Sequence, residues 1–294
     1  MWLFAWTTIP SKVFRWTQEY SKVFVGTTQV RPAWPTPPSY DYLCFTAEYY
    51  DCTVRLSSRW TPTSVQLEIS YDNINWSDYY LVAWWGSTLI RLANAWDKVY
   101  FRNKSTTPTW FSTSNSDYYY FITRGGVSVS WDVNYLLCKN STLTVPDYWF
   151  FWLFLGSWIL TAPELPATTV WEYWYSCMFV WCDLIETAPE LPATQLSEWC
   201  YKEMFEWCSA LKTLPRLNVL NIPDDAYRLM FAECSQICIS TTQTWSYQTP
   251  YRIPTSWIWT VGQDSLADMF NGTWWTFAWT PTENITYYTS NTVV

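Results

Sequence analysis

A period of 26 residues governs the second half of this chain. TAPELPATTVWEYWYSCMFVWCDLIE begins at Thr161 and TAPELPATQLSEWCYKEMFEWCSALK at Thr187, so the spacing is 187 − 161 = 26. A worn third copy starts at Thr213 and keeps Tyr227, Met230, Phe231 and Cys234 in register. The fragments Leu153 to Ser157 (LFLGS) and Met269 to Thr273 (MFNGT) read as a first and a last copy. A repeat this short cannot bury its own apolar face, so the copies are expected to stack and share an interior.

The residues that recur are those an interior needs. Tyr175, Met178 and Phe179 return as Tyr201, Met204 and Phe205 and again as Tyr227, Met230 and Phe231. That i, i+3, i+4 stripe predicts a helical segment in each copy. Cys182, Ile185 and Ala188 return as Cys208, Leu211 and Leu214, a three-residue spacing that bends a strand through a turn with its small side chains inward. Cys182, Cys208 and Cys234 would then stack about 4.8 Å apart, within reach of a disulfide bridge. Buried free thiols are the favoured reading, because a small apolar Cys suits an interior ladder and the total of nine cysteines is odd.

Glycine and tryptophan trade places in these repeats. The position two after the Phe is Gly156, Trp181, Trp207, Glu233 and Gly272 in successive copies, and Trp6, Trp16 and Gly26 are equivalent near the N-terminus, where LFAWTTIP precedes the ten-residue units SKVFRWTQEY and SKVFVGTTQV in the same frame. The chain holds 7 Gly and 25 Trp, where average usage predicts roughly 20 glycines. Trp181 and Trp207 occupy what reads as a helix C-cap in the left-handed region, and Trp96 and Trp131 each precede an Asp in a turn, all places that favour Gly. A UGA codon is read as Trp under one variant code and as Gly under another, so many of these tryptophans are expected to be glycines in the organism. Trp76 reads as a true Trp. The alternative is a Trp-rich protein that stacks on carbohydrate.

Residues 1–38 read as short β repeats ending in a proline-rich linker, since Pro fixes φ and cannot join a central ladder. Residues 40–137 alternate strand-like runs with turn clusters and predict an antiparallel β-sandwich. The hairpin VQLEISYDNINWSDY within them resembles that of jelly-roll binding modules. Residues 138–294 carry the repeats, with an insert near 239–255. The fold class expected is mainly β with short helices: β repeats, a sandwich, then a short solenoid.

The motif TAPELPAT, followed by Tyr, Met-Phe-x-Gly-Cys and a Leu or Ile, resembles the BspA-like leucine-rich repeats of bacterial surface and phage-associated proteins. The resemblance covers a third to a half of the chain and implies a right-handed solenoid with one strand and one helical segment per turn. The SKVFVGTTQV units are similar to short repeats at the start of phage tail and virion structural proteins.

With a net charge of −8 the chain lacks the basic surface that phosphate binding needs, so nucleic acid is not an expected partner. It contains no His, which removes the imidazole-based nucleophile systems and the commonest zinc ligand. There is no CxxC pair, and Asp72, Asn73, Asn75 and Asp78 read as turn-capping side chains rather than a calcium loop. Glu164 and Glu190 are equivalent repeat positions, and a repeat supplies one environment twice, unlike the unequal carboxylates of acid-base catalysis. MWLFAWTTIP lacks the basic start of a secretory signal, and the apolar run from Trp149 to Leu160 is too short to span a bilayer.

No catalytic residue, metal site or cofactor is therefore expected. The expected function is non-enzymatic adhesion to a cell-surface glycan or protein as a virion or tail-associated module, with other virion proteins or further copies of the chain as partners. The alternatives are an exported bacterial surface adhesin and a glycan-active enzyme using an Asp/Glu pair. Glu186, Thr187, Lys212 and Thr213 lie between inward positions and are the candidate ligand contacts.

Overall fold

Alternation of apolar and polar residues puts every second side chain on one side of an extended chain, and Cys52 to Ser57 is such a run. In the computed structural model it is a strand with Cys52, Val54 and Leu56 buried and the residues between them partly exposed. The structure describes residues 24–25, 28–29, 42–59, 65–80, 88–106, 111–114, 116–137, 150–275 and 279–294. The chain divides into two compact units, Met1–Tyr40 and Asp41–Val294. In the first, β1 (Phe24–Val25) and β2 (Thr28–Gln29) pair antiparallel. The proline-rich segment 31–40 and the positions of Trp6, Trp16, Gly26 and Cys138 lie outside the described residues.

The second unit begins with β3 (Leu43–Ala47), β4 (Cys52–Arg59), β5 (Leu67–Ser70), β6 (Ser77–Tyr79), β7 (Ile90–Leu92) and β8 (Lys98–Asn103). β9 (Ser112–Ser114), β10 (Asp117–Arg124), β11 (Val127–Ser130) and, beyond the first repeat copy, β12 (Ile159–Thr161) complete two sheets. Their orders are β7-β4-β10-β9 and β12-β11-β3-β8-β5-β6, antiparallel except for the parallel pair of β11 and β12. The sheets meet through aromatic side chains: Phe45 and Phe101 of the larger lie with ring centroids 4.7 and 5.1 Å from that of Phe121 in the smaller. Across β5 and β8, Arg102 pairs with Glu68 at 2.8 Å and lays its guanidinium 3.9 Å from the ring centroid of Trp76. That contact gives Trp76 a role only an aromatic ring can fill.

The repeats are built differently from the helical segments their spacing predicts. Residues 172–181 form a chain of turns in which backbone N–H groups alternate between two destinations. Ser176, Met178 and Val180 donate three residues back along their own coil, to Tyr173, Tyr175 and Cys177. Tyr175, Cys177 and Phe179 donate instead to the Cys200, Lys202 and Met204 carbonyls of the next copy, at 2.9 to 3.0 Å. Tyr201, Glu203 and Phe205 repeat this toward Ala226, Arg228 and Met230. The backbone polar groups are thereby satisfied without a helix, and each coil is bonded to its neighbour along its length.

This ribbon requires a left-handed residue at every fourth position: Tyr173 (φ 55°), Cys177 (56°) and Trp181 (60°), then Trp199 (53°), Glu203 (56°) and Trp207 (63°). An α-helix admits no such residue, whereas the third position of a type II turn demands one. Gly156 and Gly272 share the site of Trp181 and Trp207 at φ 61° and 75°. Trp96 and Trp131, expected in Gly-type turns, stand at φ 72° and 73°.

The turn ribbon buries the same residues a helix would have buried, because apolar side chains three and four apart still fall on one side. Phe154, Phe179, Phe205, Phe231 and Phe270 form a continuous ring ladder with centroids 5.3 to 5.8 Å apart. Tyr175, Tyr201 and Tyr227 form a second ladder, and Met178, Met204 and Met230 are fully buried beside them. Phe154 also stacks on Phe121 at 5.9 Å, so the ladder continues into the sheets and one buried core runs from Leu43 to Tyr287. Cys182, Cys208 and Cys234 are buried free thiols that donate to the Phe154, Phe179 and Phe205 carbonyls at 3.0 to 3.1 Å. Burial pushes these thiols up, away from the reactive thiolate.

Short strands join the copies in parallel: β13 (Thr169–Val170) with β14 (Gln195–Leu196). Further on lie β15 (Thr213–Leu214), β16 (Asn221–Ile222), β17 (Cys238–Ser240), β18 (Thr249–Arg252), β19 (Thr260–Val261), β20 (Trp274–Trp275), β21 (Thr286–Thr289) and β22 (Thr292–Val293). The segment read as an insert supplies β18, which pairs antiparallel with β21 in a sheet ordered β18-β21-β17-β20, while β15 pairs in parallel with β22. The described residues are mainly β, 34% strand and 2% helical, and the 3-10 turn at Val133–Leu136 is the helical element among them. No helix among them is long and apolar enough to cross a membrane.

Candidate functional site

The face that follows each turn ribbon is set by the three-residue spacing of its inward side chains. Cys182, Ile185 and Ala188, with Cys208, Leu211 and Leu214, are all buried. The residues between them are consequently turned outward. The two copies are held in register by main-chain bonds: the N–H groups of Lys212 and Thr213 donate to the Glu186 carbonyl at 2.8 and 3.0 Å, and Ala188 N–H donates to the Thr213 carbonyl at 3.1 Å.

That register brings the four candidate contact residues together. Lys212 Nζ lies 2.8 Å from Glu186 Oε1, and the Thr187 and Thr213 hydroxyls are 3.4 Å apart. Ser209 donates to Asp183 at 3.2 Å in the same repeat spacing. These are exposed pairs, each stabilising the fold by well under about 1 kcal/mol, so the groups are available to exchange partners with a ligand. Chemically the face offers hydroxyls, one ammonium and carboxylates in rows along the stacking direction.

The other sequence motifs resolve into local structure. Asp72 accepts from the N–H groups of Ile74 and Asn75 at 2.9 and 2.8 Å, and these bonds, with those of Asn75 and Ser70 side chains, hold its carboxyl well below the usual range. Glu164 and Glu190 are both exposed. Glu164 forms a backbone bridge to Asp132, whose carboxyl is raised by burial, but Asp132 Oδ1 already caps the 3-10 turn by accepting from Asn134 N–H at 2.8 Å. The described residues contain no group of His, Cys, Asp and Glu able to hold a metal ion.

Two features escaped the sequence reading. Trp171, Glu172, Ser197, Glu198 and Pro223 line an open cavity of about 530 Å³. The recurrence of Glu172 and Glu198 at the repeat spacing was the available signal. Glu206 shares its coil with Glu203 and is followed by Glu233 in the next copy, and burial together with their charges pushes its carboxyl from 4.5 to about 7. A raised carboxyl binds its proton more tightly folded than unfolded, so stability falls as pH rises from about 4.5 to about 7. Glu206→Gln should therefore raise the melting temperature at pH 8 and leave it unchanged near pH 4. The gain should stay below about 1 kcal/mol because the group is half exposed to solvent. An equal gain at both pH values would show that the charge is not its source.

Comparison with protein-family models, with characterised proteins and with solved structures gives no match for this chain.

Proposed function

We propose that this chain is a non-enzymatic recognition module that adheres to a cell-surface polymer or protein, carried on a virion or tail. Its two sheets are read as an antiparallel sandwich, and the stacked copies as a solenoid of the BspA-like leucine-rich-repeat kind. The observation that carries the reading is the ordered row of exposed Glu186, Thr187 and Lys212 with half-buried Thr213, presented at a fixed spacing by coils hydrogen-bonded to one another. Equivalent groups at regular intervals suit a ligand that is itself extended or repetitive. An exported bacterial adhesin would use the same face; finding tail or capsid genes beside the coding sequence would favour the virion.

Binding to intact host cells tests this directly. Changing Glu186 and Lys212 together to Ala should weaken attachment while stability stays within about 0.5 kcal/mol, as surface substitutions normally do. Attachment that survives the double change moves the binding face elsewhere. Polysaccharide turnover abolished by one carboxylate substitution would replace adhesion with catalysis.

A further inference from the structure

In β18, Arg252 lies opposite Thr286 of β21, and the segment following β15 is tied to this pair of strands. Tyr251 donates its hydroxyl to the Pro215 carbonyl at 3.0 Å, and Thr255 Oγ1 donates to Asn218 Oδ1 at 2.7 Å. Between them is a cavity of about 330 Å³ lined by Arg216, Thr249, Tyr251, Arg252, Thr255 and Thr286. Both guanidiniums are held in place: Arg216 Nε donates to a main-chain oxygen of Val294 at 2.8 Å, and Arg252 Nη2 donates to Asn284 Oδ1 at 3.0 Å while its guanidinium lies 4.7 Å from the Trp257 ring centroid. No Asp or Glu side chain pairs with either among the described residues.

Two guanidiniums converging on one cavity are unusual in a chain of net charge −8. Each carries five N–H donors and no acceptor, so a single hydrogen-bond acceptor leaves donors whose natural complement is an anionic oxygen. The threonine hydroxyls beside them both donate and accept, which suits a polyhydroxylated molecule better than a bare ion. The volume lies at the small end of small-molecule sites and accommodates about one sugar ring.

We infer that this cavity binds an acidic sugar, a carboxylate- or sulfate-bearing residue of a cell-surface polymer. The polymer rests on the adhesion reading. The cavity's preference for an acidic sugar does not. Thr213 lies on β15, whose pairing with β22 sets Leu214 opposite Val293 at the cavity wall, so on the adhesion reading the cavity would hold one charged unit of a chain lying along the row.

Calorimetric titration of the full chain with galacturonic acid, galactose 6-sulfate, galactose and inorganic sulfate tests it. Saturable binding of one or both acidic sugars is expected, at least tenfold tighter than galactose and weakened by added salt. The tighter of the two identifies the acidic group. Arg216→Gln, at an exposed position, and Arg252→Gln should each lower that affinity at least tenfold, with melting curves taken alongside to show that the variants fold. Galactose binding as tightly as its acidic counterparts overturns the inference, as does inorganic sulfate matching them, which would leave a simple anion site. Unchanged affinity in both arginine variants overturns it too. Cell attachment is read separately: if the chain binds acidic sugar but no cell, the adhesion reading fails and the cavity stands.

Discussion

Phe205→Ala should destabilise the protein by about 3 to 5 kcal/mol, the cost of truncating a buried Phe where the surroundings cannot collapse. Phe205 is fully buried, with Phe179 and Phe231 stacked on its two faces at 5.3 and 5.8 Å and nearly parallel. Its neighbours are fixed by main-chain bonds between coils, so the ladder has little freedom to close over a gap. The loss is a large part of the 5 to 15 kcal/mol that holds a typical domain. Because one core joins coils and sheets, denaturant unfolding followed by Tyr and Trp fluorescence and by circular dichroism should shift as a single transition. A cost below about 1 kcal/mol, or a transition that splits in two, would mean that the stack does not carry the fold. Phe205→Leu keeps most of the volume and should cost far less.

Trp181→Gly and Trp207→Gly should each raise stability, by about 0.5 to 1 kcal/mol. Both residues sit in the left-handed region, at φ 60° and 63°, where a side chain carries roughly 1 to 2 kcal/mol of strain that Gly avoids. Their relative exposures of 54% and 45% leave only part of the indole contact to be lost. Trp174 is the contrasting case: it is 4% exposed and packed on Phe150 and Tyr175, so Trp174→Gly should destabilise. Thermal melts of the three variants decide by sign. If Trp181→Gly and Trp207→Gly both lower the melting temperature, the two tryptophans belong to the native packing and the exchange with glycine fails at its best-aligned sites. The gene gives an independent answer, since the exchange requires UGA rather than UGG at these codons. Left-handed φ by itself does not single out tryptophan, because Tyr173, Cys177, Glu203 and Leu229 share it. What distinguishes Trp181 and Trp207 is the equivalence with Gly156 and Gly272.

The sequence by itself determined which residues of each copy are equivalent and which of them are buried. Tyr, Met, Phe and Cys recur at the 26-residue period, and burial on one side of a regularly folded chain follows from spacing alone. It also placed Glu186, Thr187, Lys212 and Thr213 between inward positions, and it picked out Trp96, Trp131, Trp181 and Trp207 as sites needing unusual backbone. Only the tertiary structure decided between helix and turn ribbon. The stripe at i, i+3 and i+4 is common to both, and the difference lies in where alternate N–H groups go: Tyr175 donates to Cys200, a partner in the next coil that local spacing does not reveal. The sheet orders, and the cavity that gathers Arg216, Arg252 and Thr286, were illegible for the same reason. Each joins segments far apart in the chain, and periodicity reports what one segment buries without naming what it is buried against.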